Sequence, residues 1–131
     1  MQSKMKKLLL TALLCFSING FAYNWKKVGE SRWGDWYVDV DSIKKRNGFV
    51  YYWTLIDYFE PIEKNINSGI TKFKVDCVEE KLTFLNATTY TQSMGKGRIV
   101  YEDNYSFTLP SFALSPKNDT YQMKFACDNA K

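Results

Sequence analysis

Few residues in this chain have the types and spacing that covalent chemistry needs. None of the 131 residues is histidine, so the usual general base, Ser-His and Cys-His nucleophile pairs and the commonest zinc ligand are all absent. Catalysis would have to rest on carboxylates or lysines. Asp39 and Asp41 sit two apart, the spacing of a calcium loop or an acid–base pair. Asp41 is better read as the cap of a turn at Ser42-Ile43, and Glu79-Glu80 as a solvated turn. No glycine-rich phosphate loop is present. The expectation is a protein without a catalytic centre, a metal or a cofactor.

Binding chemistry has more to draw on. Lys44-Lys45-Arg46 is the one basic cluster, extended by Lys26 and Lys27, and suits sulfated polysaccharide or the acidic surface of a partner. Its plain alternative is a solvated run before a turn. Trp33, Trp36, Tyr37, Tyr51, Tyr52 and Trp53 are either core or an exposed aromatic patch. A single-layer sheet with one short helix leaves part of one face open, which favours some exposure. Lys44, Lys45, Arg46, Trp33 and Tyr52 are therefore the candidate binding residues. Arg32-Trp33-Gly34-Asp35 is not an Arg-Gly-Asp motif, because the tryptophan interrupts it.

The amino terminus indicates export. Lys4, Lys6 and Lys7, then the apolar run Leu8 to Ile18, then Gly20-Phe21-Ala22 read as a signal peptide over residues 1–22. The run is short of the roughly 20 residues a bilayer-spanning helix needs, so no transmembrane segment is expected after cleavage. Cys15 follows Leu14, whereas a lipidated cysteine needs a small residue before it. Cleavage after Ala22 discards Cys15 and leaves Cys77 and Cys127, which most simply form one disulfide. The expected location is the periplasm or the cell surface.

Residues 23–131 have the size of one domain. Three of the 18 basic residues lie in the leader, so this segment carries 15 basic residues against 14 acidic ones. A nucleic-acid binder should show a basic excess, and none is present. The Asn-x-Ser/Thr sequences at Asn86, Asn104 and Asn118 are treated as chance, since the leader looks bacterial.

The positioning elements are mostly strands. Strands are expected at 24–30, 36–40, 49–59, 70–77, 82–91 and 98–102, the first three forming a meander. Asp41-Ser42-Ile43 reads as a single helical turn, and Asn47-Gly48 as a tight turn. The 49–59 run is apolar on both faces and should be central. Residues 60–69, with Pro61 and Asn67-Ser68-Gly69, read as a loop, and 103–116 as an edge strand or a packed loop. Phe73, Val75 and Cys77 alternate towards the core, opposite Lys72, Lys74 and Asp76. A helix from Thr120 to about Ala126, capped by Asn118 or Asp119, is too short to hold alone, and a Cys77–Cys127 disulfide would pin it.

The run from Trp36 to Ile43, Val50 with Trp53-Thr54-Leu55-Ile56-Asp57-Tyr58 and Pro61, Val75-Asp76-Cys77, Met94-Gly95-Lys96-Gly97 and Cys127 together resemble the surface-adhesin protein E-like family. The resemblance covers nearly all of residues 23–131. It implies an α+β fold: a twisted, mostly antiparallel sheet of about six strands, a short C-terminal helix packed on it and a strand-to-helix disulfide. It also implies a non-enzymatic exported binding module for a protein partner, a host extracellular-matrix or plasma protein. The alternative is a soluble periplasmic envelope protein acting as an assembly or inhibitor partner.

Overall fold

Phe49–Ile62, apolar on both faces over its first half, becomes the centre of the sheet. The computed structural model describes residues 22–63, 65–104, 106–110 and 119–131. The leader through Phe21, including Cys15, and the expected cap at Asn118 lie outside these residues. Eight strands form one antiparallel sheet: β1 (Trp25–Glu30), β2 (Gly34–Asp39), β3 (Lys44–Arg46), β4 (Phe49–Ile62), β5 (Ile66–Asp76), β6 (Lys81–Tyr90), β7 (Ile99–Asp103) and β8 (Phe107–Pro110). Six run side by side in the order β1-β2-β4-β5-β6-β7, while short β3 pairs with β4 and β8 with β6. A 3-10 turn, Ser93–Gly95, precedes β7, and one helix, α1 (Asp119–Asp128), follows the strands.

Three differences from the sequence reading have physical causes. The basic run Lys44–Arg46 is itself a strand, folded back on β4 through Asn47 and Gly48, whose positive φ values of 53° and 83° suit a two-residue hairpin. Asp41-Ser42-Ile43 is a turn without helix. The expected 60–69 loop is instead the tip of a long hairpin in which Ile62 pairs with Ile66. Pro61 is tolerated because the β4–β5 register breaks between Asp57 and Ile62 and β2 has ended its pairing at Tyr58. Ser68, fully buried, keeps its hydroxyl satisfied by donating to the Gln92 carbonyl (2.6 Å).

Side-chain alternation divides the sheet into two faces. On the helix face Val38, Val50, Tyr52, Phe73, Val75 and Leu82 form a core with Met123 and Ala126 of α1, which packs over β1, β2 and β4. The Cys77–Cys127 disulfide ties the end of α1 to the turn after β5, and Cys77 packs against this core as its register with Phe73 and Val75 implies. On the opposite face, among the described residues, the Ser93–Gly95 turn covers one end, above Leu55 and Ile70.

Candidate functional site

Among the described residues the rest of that second face is uncovered, and the side chains it carries follow from strand register. Arg46 pairs with Phe49 and Lys44 with Tyr51 on one side of β4, while Tyr51 pairs with Lys74 and Trp53 with Lys72 on the other. Partners in register point the same way. The open face therefore carries an aromatic row, Phe49, Tyr51 and Trp53, between two rows of cations. Lys74 Nζ lies 4.0 Å from the Phe49 ring centroid and Lys72 Nζ 5.5 Å from that of Trp53. These are cation–π contacts. Among the described residues none of the four cations forms an ion pair. A cleft of about 260 Å³ opens beside Lys44, Arg46, Tyr51, Trp53 and Lys72, with Ser42 and Tyr52 also in its lining.

The edges of the open face are set by hydrogen bonds. Asp57 accepts the Ser93 hydroxyl (2.7 Å) and the Met94 N–H (2.9 Å), and Ser68 Oγ accepts the Gly95 N–H (2.8 Å), so the turn is clamped over one end. Towards β1, Tyr23 stacks on Trp25 at 4.7 Å and meets Trp53 edge-on at 6.2 Å. Burial and the neighbouring Tyr90 and Asp39 raise the Tyr23 pKa. Asp39, rather than Asp41, caps the 40–42 turn: its Oδ1 accepts the N–H of Asn24 (3.1 Å) and of Asp41 (3.2 Å). Ser42 donates its hydroxyl to the Asp39 carbonyl and accepts the Trp53 N–H, which fixes the floor of the cleft.

The five residues singled out in the sequence do not form one site. Lys44 and Arg46 share the open face. Lys45 alternates to the helix face, where its N–H donates to the Lys131 carbonyl (3.1 Å). Tyr52 is a correction: it is 1% exposed, within the core against Phe73, because even-numbered positions of β4 face the helix. Trp33 is 58% exposed but lies at the far end of the sheet, where its carbonyl accepts the Phe59 N–H. Lys44 pairs with Tyr51, eight residues along β4 from Phe59, so about 26 Å of strand separates Trp33 from the basic rows. There Ser31 Oγ accepts the N–H groups of Trp33 and Gly34, and the Arg32 guanidinium lies 5.0 Å from the Trp33 ring centroid. Arg32, Trp33 and Phe59, the last 61% exposed, line a second cleft of about 380 Å³ with Glu60, Pro61 and Ile62. Lys26 also leaves the cluster, placing its ammonium 5.4 Å from the Phe125 ring on the helix side.

The model of the family described as Surface-adhesin protein E matches residues 25–128. The chain belongs to this family. Its fold is similar to that of Haemophilus influenzae protein E. One such structure is 20% identical with a TM-score of 0.56, covering 80% of this chain and 84% of that one. A second crystal form is 21% identical with a TM-score of 0.55, covering 72% and 80%. Protein E from a non-typeable strain is 19% identical with a TM-score of 0.55, covering 79% and 75%. No curated protein matches the sequence significantly. The Met94-Gly95-Lys96-Gly97 and Asp57 motifs that carry the resemblance to the adhesin E family meet in space: Asp57 holds the turn those residues form.

Phe49, Lys72 and Lys74 were missing from the sequence-derived site. The alternation of Lys72 and Lys74 against Phe73 and Val75 is visible in the sequence. What pairs them with Tyr51 and Trp53 is the β4–β5 register, set by a hairpin that reads locally as a loop.

Proposed function

We propose that this adhesin E-family protein is a non-enzymatic, exported binding module that contacts a host matrix or plasma protein. Its protein contact is anchored by Trp33 and Phe59. The observation that carries this reading is the exposure of two large aromatic side chains, 58% and 61%, beside Arg32 on a hydrogen-bonded turn. Tryptophan and arginine are the residue types that most often dominate protein–protein affinity. Lys44 and Arg46, far from that end, contribute charge on the open face. Export is tested by fractionation with protease treatment of intact cells, where cleavage places the protein at the surface and protection places it in the periplasm. Purified protein should bind immobilised matrix proteins, and Trp33→Ala/Phe59→Ala should weaken that binding at least tenfold with an unchanged melting temperature. Equal binding by the variant would refute the anchor.

A further inference from the structure

The open face carries a second kind of recognition that the Trp33 anchor does not explain. Beyond the cations the same face continues onto β6 and β8 with neutral polar groups. Lys74 pairs with Thr83, whose hydroxyl is 2.7 Å from that of Thr108, and Lys72 pairs with Asn86, whose amide donates to Asn104. From β3 to β8 the band crosses five strands, about 19 Å at the spacing of neighbouring strands. Cations at one end, aromatic rings among them and hydroxyl and amide groups at the other match a chain that bears both anionic groups and many hydroxyls.

We infer that the open face binds a sulfated glycosaminoglycan chain, through Lys44, Arg46, Lys72 and Lys74, with Thr83 and Asn86 as hydrogen-bonding partners for sugar hydroxyls. Charge complementarity identifies the occupant. Four cations without ion pairs among the described residues lie in two rows, about 7 Å apart along each strand and about 10 Å across β4. Sulfates and carboxylates along a glycan can meet both rows, while pyranose C–H faces rest against Tyr51 and the edge of Trp53. A single-stranded nucleic acid also combines charge with stacking, but its affinity depends on bases lying flat on aromatic faces. Here the Lys74 ammonium sits over the Phe49 ring and the Lys72 ammonium over that of Trp53, so a base would first have to displace them. A sulfate group instead meets the ammonium where it already lies. The inference rests on the adhesin reading only in taking the ligand to be extracellular, and not on the Trp33 patch.

The test uses a heparin oligosaccharide titrated calorimetrically into the purified, disulfide-bonded protein at about 0.15 M salt. Binding should weaken steeply as salt rises. Lys44→Ala/Arg46→Ala/Lys72→Ala/Lys74→Ala should lose about tenfold to a hundredfold in affinity, since each exposed charge contact is modest. Lys26→Ala/Lys45→Ala, on the helix face, should bind as the unchanged protein does. Thr83→Val/Thr108→Val should weaken heparin several-fold while leaving inorganic polyphosphate unchanged. The inference is overturned by no heparin binding at that salt, by equal affinity of the quadruple variant, or by tighter binding of an oligodeoxythymidylate of equal charge. Failure here with matrix-protein binding still lost in Trp33→Ala/Phe59→Ala would remove the glycan site and leave the adhesin reading standing. Heparin binding retained in that same variant, with matrix binding unaffected, would do the reverse.

Discussion

Breaking the Cys77–Cys127 crosslink should undock α1 before anything else in the fold gives way. The helix has ten residues, too few to be stable alone in water. Its described contribution to the core comes mainly from Met123, 5% exposed, and Ala126, fully buried. Burying one Met-sized side chain is worth about 1.5–3 kcal/mol. Ordering ten backbone residues costs about 1–2 kcal/mol each, only partly recovered by the helical hydrogen bonds. The crosslink spans 50 residues, and removing a loop closure of that length costs about 4 kcal/mol in the chain-entropy picture. With an unfolding entropy of about 2.1 cal/mol/K per residue over 109 residues, that loss lowers Tm by about 18 °C. Calorimetry of Cys77→Ala/Cys127→Ala against the oxidised protein measures the shift, and hydrogen exchange over 119–131 locates it. A Tm loss below about 5 °C with the helix amides still protected would show that packing, not the crosslink, holds α1. Heparin binding at the open face should survive at temperatures where the variant sheet is folded.

Three further outcomes follow from the same contacts. Asp57→Ala leaves the Met94 N–H and the Ser93 hydroxyl without their acceptor, so stability should fall by about 1–2 kcal/mol and amide exchange of residues 93–97 should rise; unchanged exchange there would contradict the clamp. Gly34→Ala places a methyl inside the contact distance of the Asp57 carbonyl oxygen, so β2 and β4 must part, costing about 1–3 kcal/mol by urea unfolding; a neutral substitution would refute the close approach. Tyr23, Tyr58 and Tyr90 have pKa values raised chiefly by burial, which means the folded state holds these protons more tightly than the unfolded one. The contribution of these tyrosines should therefore be full below about pH 10 and be lost as the pH rises through the raised values, and urea midpoints that stay level between pH 9 and pH 11 would refute this.

Much of the fold was legible because alternation and turn chemistry are local. Phe73 and Val75 against Lys72 and Lys74 gave the face of β5, and Asn47-Gly48 gave the hairpin. The even cysteine pair gave the crosslink. Pro61 and Asn67-Ser68-Gly69 misled, because their usual turn roles are overridden by tertiary partners: Asn67 donates to the Thr91 carbonyl and Ser68 to that of Gln92. Those partners lie 24 residues away, beyond any local window. The candidate site suffered more than the fold. Lys44-Lys45-Arg46 reads as one cluster in sequence, yet a strand turns its middle member to the opposite face. The replacement cations, Lys72 and Lys74, come from a strand whose register no local pattern specifies.

The same register that split the cluster separates the sealed face of the sheet from the face proposed to bind. A sheet face needs either a cover or a reason to stay wet, and the two faces here take different routes. The helix face recruits α1 and the disulfide, so its even-numbered β4 residues, Val50 and Tyr52, are sealed. The open face buries Leu55, Ser68 and Ile70 at the end under the clamped turn and covers Phe49 and Trp53 with lysine ammonium groups. Lysine stems cover apolar surface while their heads remain in water, which keeps an aromatic row soluble without burying it. Replacing Lys72 and Lys74 by alanine should therefore do two separable things: remove the charge a polyanion meets, and expose bare rings. The first should appear as lost heparin affinity and the second as increased dye binding or self-association at unchanged Tm. If the variant instead melts earlier, the lysines are holding the sheet together and the division between the two faces is wrong.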